Sequence, residues 1–149
     1  MISFSRSNNP LQFDYVLDST PLNRVAKVSD LGVTLDAQLN FIEHIGNISS
    51  KGFEQLGFVL RHSRDFCSDT LKLLFLVFVR SHLEYCSVIW SPYYNSHINS
   101  IERIQSKFLI ALSRKVGMYT DLNYQSKCDA LGLESLFIRR FQLDLMFFL

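Results

Sequence analysis

The sequence predicts an α+β chain, mostly α: a small antiparallel β-meander followed by a helical bundle. Three observations carry this. Hydrophobic residues make up 48% of the 149 positions and charged residues 19%, which is apolar enough to bury a core in one compact domain. From Ile2 to Leu35, short apolar stretches alternate with turn-forming residues. From Asn40 onward, apolar residues recur every three or four positions instead. The expected division is therefore a meander over residues 1–37 and a helical region over residues 38–149.

Ile2-Ser3-Phe4-Ser5 alternates apolar and polar and reads as a first strand. Ser7-Asn8-Asn9-Pro10 reads as a turn, because Asn and Pro favour turn dihedrals. Phe13 to Leu17 reads as a second strand and Asp18-Ser19-Thr20-Pro21 as a second turn. Val25 to Leu35 reads as a third strand with a break near Gly32.

The helices follow. Asn40 and Glu43 resemble a capping box ahead of a helix whose stripe is Phe41, Ile45, Ile48, Gly52, Leu56 and Val59. Gly52 on that stripe implies close approach of another helix. Ser68 reads as the cap of a second helix, with Asp69 in its first turn. Leu71 to Val79 is apolar on nearly every side, which predicts a helix in the middle of the bundle. That helical stretch continues with a kink near Ser81 and stops before Pro92. A long helix from about Ser96 to Lys115 buries Ile98, Ile101, Ile104, Phe108 and Leu112, and Gly117 ends it. A short helix near Leu122–Leu131 stops at Gly132. A last helix begins near Glu134 and carries Phe137, Phe141, Leu145 and Phe148 at helical spacing. The apolar finish and the unprotected first strand imply a chain truncated at both ends.

Composition narrows the function classes. The net charge of +1 names no partner, but the distribution is uneven. Residues 97–115 hold Arg103, Lys107, Arg114 and Lys115 against Glu102 alone. Cys67, Cys86 and Cys128 are too few and too scattered for a disulfide framework, which points to a reducing, intracellular compartment without choosing between nucleus and cytoplasm. The densest apolar run, Leu71 to Val79, is well short of the ~20 residues that span a bilayer, so no membrane partner is expected.

Arg103, Lys107 and Arg114 stand at i, i+4 and i+11, within one narrow sector of a helix. Such a ridge can contact phosphates along a duplex without reading bases; an ordinary solvated face is the alternative. Gln105, at the edge of the apolar stripe, bonds either a neighbouring backbone group or a nucleic-acid sugar, the former being the commoner use of a buried amide. Arg139 and Arg140 offer a second basic spot, or an ion pair of Arg140 with Asp144 one turn on. His82, Glu84 and Cys86 place two metal-ligand types on one helix face, but no second ligand pair has recognisable spacing. Cys86 then reads as a small buried residue. Tyr85, Trp90, Tyr93 and Tyr94 surround Pro92 and read as a packed corner rather than a base-stacking platform. Neither a Gly-x-Ser-x-Gly elbow nor a glycine-rich phosphate loop is present.

The strings VSDLGVTLDAQLNFIEHI, LGFVLRHSRDF, LKLLFLVFVRSHLEYCSVIWSPYY, IERIQSKFL and LGLESLFIRRFQLDLMFFL occur in this order. Together they resemble the segment after the polymerase core in reverse transcriptases of non-LTR retrotransposons, the jockey-like elements above all. The resemblance covers essentially the whole chain. It implies that MISFSRS and FDYVLD are the last strands of a palm, and that Leu31-Gly32-Val33 form a primer-grip-like loop. Residues from about 40 onward would be the thumb and the helices after it. It also implies template–primer RNA or DNA as a weak partner and the missing palm and fingers as another. The family's aromatic-x-Asp-Asp motif has no counterpart here, since no two Asp are adjacent. Polymerase chemistry needs clustered carboxylates to hold two Mg²⁺ ions, so the expectation is a non-catalytic piece with no cofactor of its own. A helical module that docks on the missing palm or on another chain, and a decayed remnant, are the alternatives.

Overall fold

The computed structural model describes residues 1–7, 13–118 and 122–149. The turn expected at Asn8-Asn9-Pro10 lies outside them. The chain forms two compact units, Met1–His44 and Ile45–Leu149. The α+β, mostly α class holds.

The first unit departs from a three-stranded meander. It contains two separate antiparallel hairpins: β1 (Val16–Leu17) with β2 (Thr20–Pro21), and β3 (Lys27–Asp30) with β4 (Val33–Asp36). The expected third strand is thus a hairpin folded back on itself. Its turn is Leu31-Gly32, with φ of 45° and 82°, and the first hairpin turns at Asp18-Ser19 with φ of 47° and 64°. Positive φ at both central residues defines the tight turn whose twist matches paired strands. Ile2–Ser5 is not a strand; it is tied by isolated bonds, Ser5 N to Ala37 O (2.8 Å) and Val25 N to Met1 O (2.9 Å). The capping box also fails. Asp36 Oδ1 accepts from the backbone of Gln38 (2.9 Å) and Asn40 (3.0 Å), which winds 37–40 into a turn. Asn40 then bonds Gln38 and Glu43 pairs with Lys27, so neither caps the helix.

The core lies in the second unit. Helix α1 (Ile42–Arg61) buries Ile45, Ile48, Gly52, Leu56 and Val59 as its spacing predicts, but Phe41, the expected start of the stripe, precedes the helix with φ of 55° and is half-buried. A Cβ on Gly52 would stand 2.9 Å from Leu83 Cδ2 and 3.0 Å from Ile104 Cδ1, so the glycine does permit close helix approach. Helix α2 (Ser68–Leu74) is preceded by Cys67 in extended conformation, so the cap position falls one residue before the expected Ser68, which opens the helix instead. A π-helical segment (Phe75–Arg80) and helix α3 (Ser81–Glu84) continue it.

That segment corrects the expectation of a helix buried all round. Leu71, Phe75, Val79 and Leu83 are buried, whereas Leu73, Val77 and Phe78 are half-exposed or more. In a uniform α-helix successive i+4 steps drift around the axis. The wider π turn offsets the drift, keeps those four in line and swings Phe78 outward. The expected kink at Ser81 is thus a π segment just before it, with the Ser81 hydroxyl donating to Val77 O. The chain then breaks at Cys86 (φ 52°), resumes as α4 (Ser87–Trp90) and stops before Pro92.

Helix α5 (Asn95–Val116) is the centre of the bundle and packs against α2, α6 (Tyr124–Leu131) and α7 (Leu136–Phe148). Phe108 of α5 stacks on Phe75 with ring centroids 4.0 Å apart. Gly117 (φ 73°) ends α5 and Gly132 (φ 61°) ends α6, each with the backbone bonds of a left-handed C-cap. Asn123 and Ser135 cap α6 and α7. Helix α7 turns its apolar stripe outward. Phe137, Phe141, Leu145 and Phe148 face solvent, and the buried positions are Leu136 and Arg140. Among the described residues no helix is long and apolar enough to cross a membrane.

Candidate nucleic-acid interface

Helix α5 has two unlike faces. One buries Ile101, Ile104, Phe108 and Leu112 in the core, with Ile98 half-buried at its start. The other presents Arg103, Lys107 and Arg114, all exposed, while Lys115 is exposed at the helix end on the side of the core stripe. At 100° per residue Arg103, Lys107 and Arg114 fall within about 40° of one another, and at ~1.5 Å per residue they span ~16 Å. Lys107 Nζ sits 4.8 Å from the Phe53 ring centroid on α1. That contact sets the ammonium over the ring while the side chain stays exposed. Lys115 Nζ donates to Ser63 O at 2.6 Å and so closes the end of α1. Arg114 and Lys115 also stand in the last turn of α5, where the helix dipole favours positive charge.

The acidic residue of this helix is turned away. Glu102 Oε2 accepts from the Tyr124 hydroxyl, and Oε1 accepts from Phe137 N at 2.5 Å and lies 4.0 Å from Arg140 Nη2. Gln105, fully buried, donates through Nε2 to Glu134 O (2.8 Å) and to Tyr124 Oη (3.0 Å). Its role is the backbone bond rather than a sugar contact. This network joins α5, α6 and α7, and it removes the one carboxylate of α5 from the solvent face. Among the described residues, none of the four cations pairs with a carboxylate. Burial, then the hydrogen bond to Glu102 and its charge, hold the Tyr124 phenol well above the usual tyrosine range.

The second basic spot does not form. Arg139 is spent on Glu84 (3.3 Å) and Glu134 (3.9 Å). Arg140 is 2% exposed and faces Glu102 instead of pairing with Asp144. Burial pulls its guanidinium below the usual range, and the charges of Glu102 and Glu84 oppose that. Burial likewise raises the Asp144 carboxyl, with Arg140 opposing.

The fold adds Arg64 to the site. Arg64 and Lys115 line one small cavity, of about 190 Å³, whose wall includes Leu71, Phe108 and Leu112. Arg64 is exposed on the connection between α1 and α2. It stands 51 positions before Lys115, and no local pattern marks it.

Leu31, Gly32 and Val33 belong to the first unit. They make the β3–β4 turn and its exit: Leu31 is 81% exposed at the tip and Val33 is buried. For the metal alternative, Glu84 is held by Arg80 (2.8 Å) and Arg139, and Cys86 is half-buried beyond the end of α3 rather than fully buried. Burial, with the charge of Lys51 second, keeps the His82 imidazole below its usual range. Among the described residues no three His, Cys, Asp or Glu are grouped to hold a metal. The packed aromatic corner is corrected to one ring. Trp90 is buried and donates to Tyr85 O at 2.8 Å, whereas Tyr85, Tyr93 and Tyr94 are exposed. The extended stop at Ser91-Pro92 carries the last two tyrosines out of the core.

No family model, curated protein or solved structure matches this chain.

Proposed function

We propose that this chain is a non-catalytic C-terminal part of a mobile-element reverse transcriptase, and that α5 grips the sugar–phosphate backbone of a template–primer duplex. The observation that carries the reading is the solvent face of α5. Three cations, Arg103, Lys107 and Arg114, lie along it, and Glu102 is drawn into the bundle by Tyr124 and Phe137. A span of ~16 Å corresponds to about five phosphates along one strand at ~3.4 Å each. Arg103, Lys107 and Arg114 can hold phosphates along a strand without reading bases, and Asn99, exposed one turn before Arg103, is the amide nearest them. The resemblance of the whole chain to the region after a polymerase core supports the same role. With no Asp-Asp pair to hold metal ions, the chemistry belongs to the missing palm.

Direct titration tests this. A 20-base-pair RNA–DNA hybrid should bind at 50 mM salt, and a second hybrid of unrelated sequence should bind equally. Absence of binding, or a tenfold preference between the two sequences, overturns the reading.

A further inference from the structure

Where the end of α1 and helix α2 meet α5, they leave a cavity of about 190 Å³. Leu71, Phe108 and Leu112 form its apolar wall, each at most 3% exposed. Its two charged lining residues are both cations, Arg64 and Lys115, and no carboxylate lines it. Lys115 Nζ is held in place by donating to Ser63 O at 2.6 Å. Arg64 is exposed and makes no ion pair among the described residues. The ridge cations Arg103, Lys107 and Arg114 do not line this cavity, so what it holds does not depend on duplex binding at the ridge.

We propose that this cavity binds a small organic monoanion: an acidic head between Arg64 and Lys115, on an apolar body about the size of one ring set against Leu71, Phe108 and Leu112. Charge and size together select this class. Two cations that no lining carboxylate answers favour an anionic head, and the two oxygens of a carboxylate suit a guanidinium fork. The wall of Leu and Phe side chains gives no hydrogen bond in return, so it favours carbon beside that head. A closed apolar cavity of about 150 Å³ in another protein takes up benzene, so the space here suits a single ring and excludes a long acyl chain.

Amide shift titration of the full labelled chain with phenylacetate, in the absence of nucleic acid, tests the proposal. Saturable shifts should centre on Arg64, Ala111, Leu112 and Lys115, with a dissociation constant on the order of 1 mM, the range for a ligand of about ten heavy atoms. Phenylacetamide has the shape without the charge, and acetate has the charge without the ring. Each should bind at least about tenfold more weakly. Arg64→Gln should weaken phenylacetate about fivefold with an unchanged urea midpoint, because Arg64 is exposed and makes no ion pair in the fold. Ala111→Leu puts carbon into the cavity that Ala111 lines and should abolish binding while both cations remain. Phenylacetamide that binds as tightly as phenylacetate, an Arg64→Gln or a folded Ala111→Leu variant with the parental affinity, shifts clustered away from the cavity, or no saturable binding below about 10 mM would each overturn the proposal.

Discussion

Replacing Arg103, Lys107 and Arg114 together by Gln should flatten the salt dependence of duplex binding. Gln is a good helix former without charge, and it gives up the contact of the Lys107 ammonium with the Phe53 ring. Each phosphate neutralised on duplex nucleic acid contributes about −0.9 to the slope of log K against log salt, so the three ridge cations contribute about −2.7. The triple variant should lose that part of the slope and keep only what Arg64 and Lys115 add. Between 50 and 200 mM salt the ridge then accounts for roughly 40-fold of the parent's loss in affinity. Fluorescence anisotropy of a labelled RNA–DNA hybrid, titrated at five salt concentrations, reads both slopes. Circular dichroism checks that α5 is intact, since the lost cation–π contact is worth only ~0.5–1 kcal/mol. A triple variant with the parental slope would show that the ridge is solvated surface and nothing more.

Three further outcomes follow from the packing. Gly52→Ala gains ~1 kcal/mol of helix propensity, but its Cβ meets Leu83 and Ile104, where overpacking costs about 1–3 kcal/mol. Urea unfolding should show a net loss of about 1 kcal/mol, and a more stable variant would mean that those side chains yield freely. The Tyr124 phenol is raised in the folded state, so its contribution is fully present below the unfolded value of about 10 and is lost as pH rises beyond it. The urea midpoint should therefore fall between pH 9.5 and 11, and fall less in Tyr124→Phe; equal declines would remove the buried network from the account. Leu31 holds a left-handed conformation that costs a non-glycine residue roughly 1–2 kcal/mol, and Asn-Gly is the favoured pair in such a turn. Leu31→Asn should raise the stability of the first unit by about 1 kcal/mol in thermal unfolding, and a loss would show that the exposed leucine is holding something.

Much of the helical region was legible because helix signals are local. The stripes of α1 and α5, the stops at Gly117 and Gly132, and the close approach at Gly52 all follow from spacing and residue type. The exposed cations of α5 were legible for the same reason, since a core stripe fixes which face is left for solvent. What failed depended on partners distant in sequence or on backbone states that residue type does not encode. Leu31 gives no hint of positive φ, so a hairpin read as one broken strand. The π segment keeps Leu71, Phe75, Val79 and Leu83 aligned only because it departs from the uniform helix that periodicity assumes. The apolar stripe of α7 was legible but the face it takes was not, because Glu102 and Glu84, 35 or more residues earlier, capture its arginines and turn the stripe outward. Arg64 enters the site for a comparable reason: the fold, not the local sequence, brings it to the cavity that Lys115 also lines.

Amide chemical-shift mapping tests the central claim most directly. With a labelled chain and an unlabelled RNA–DNA hybrid at 50 mM salt, the largest shifts should cluster on α5 from Arg103 to Lys115 and at Arg64. They should vanish at 500 mM salt. Shifts absent from α5, or confined to the exposed stripe of α7, would contradict a phosphate-gripping role for this helix.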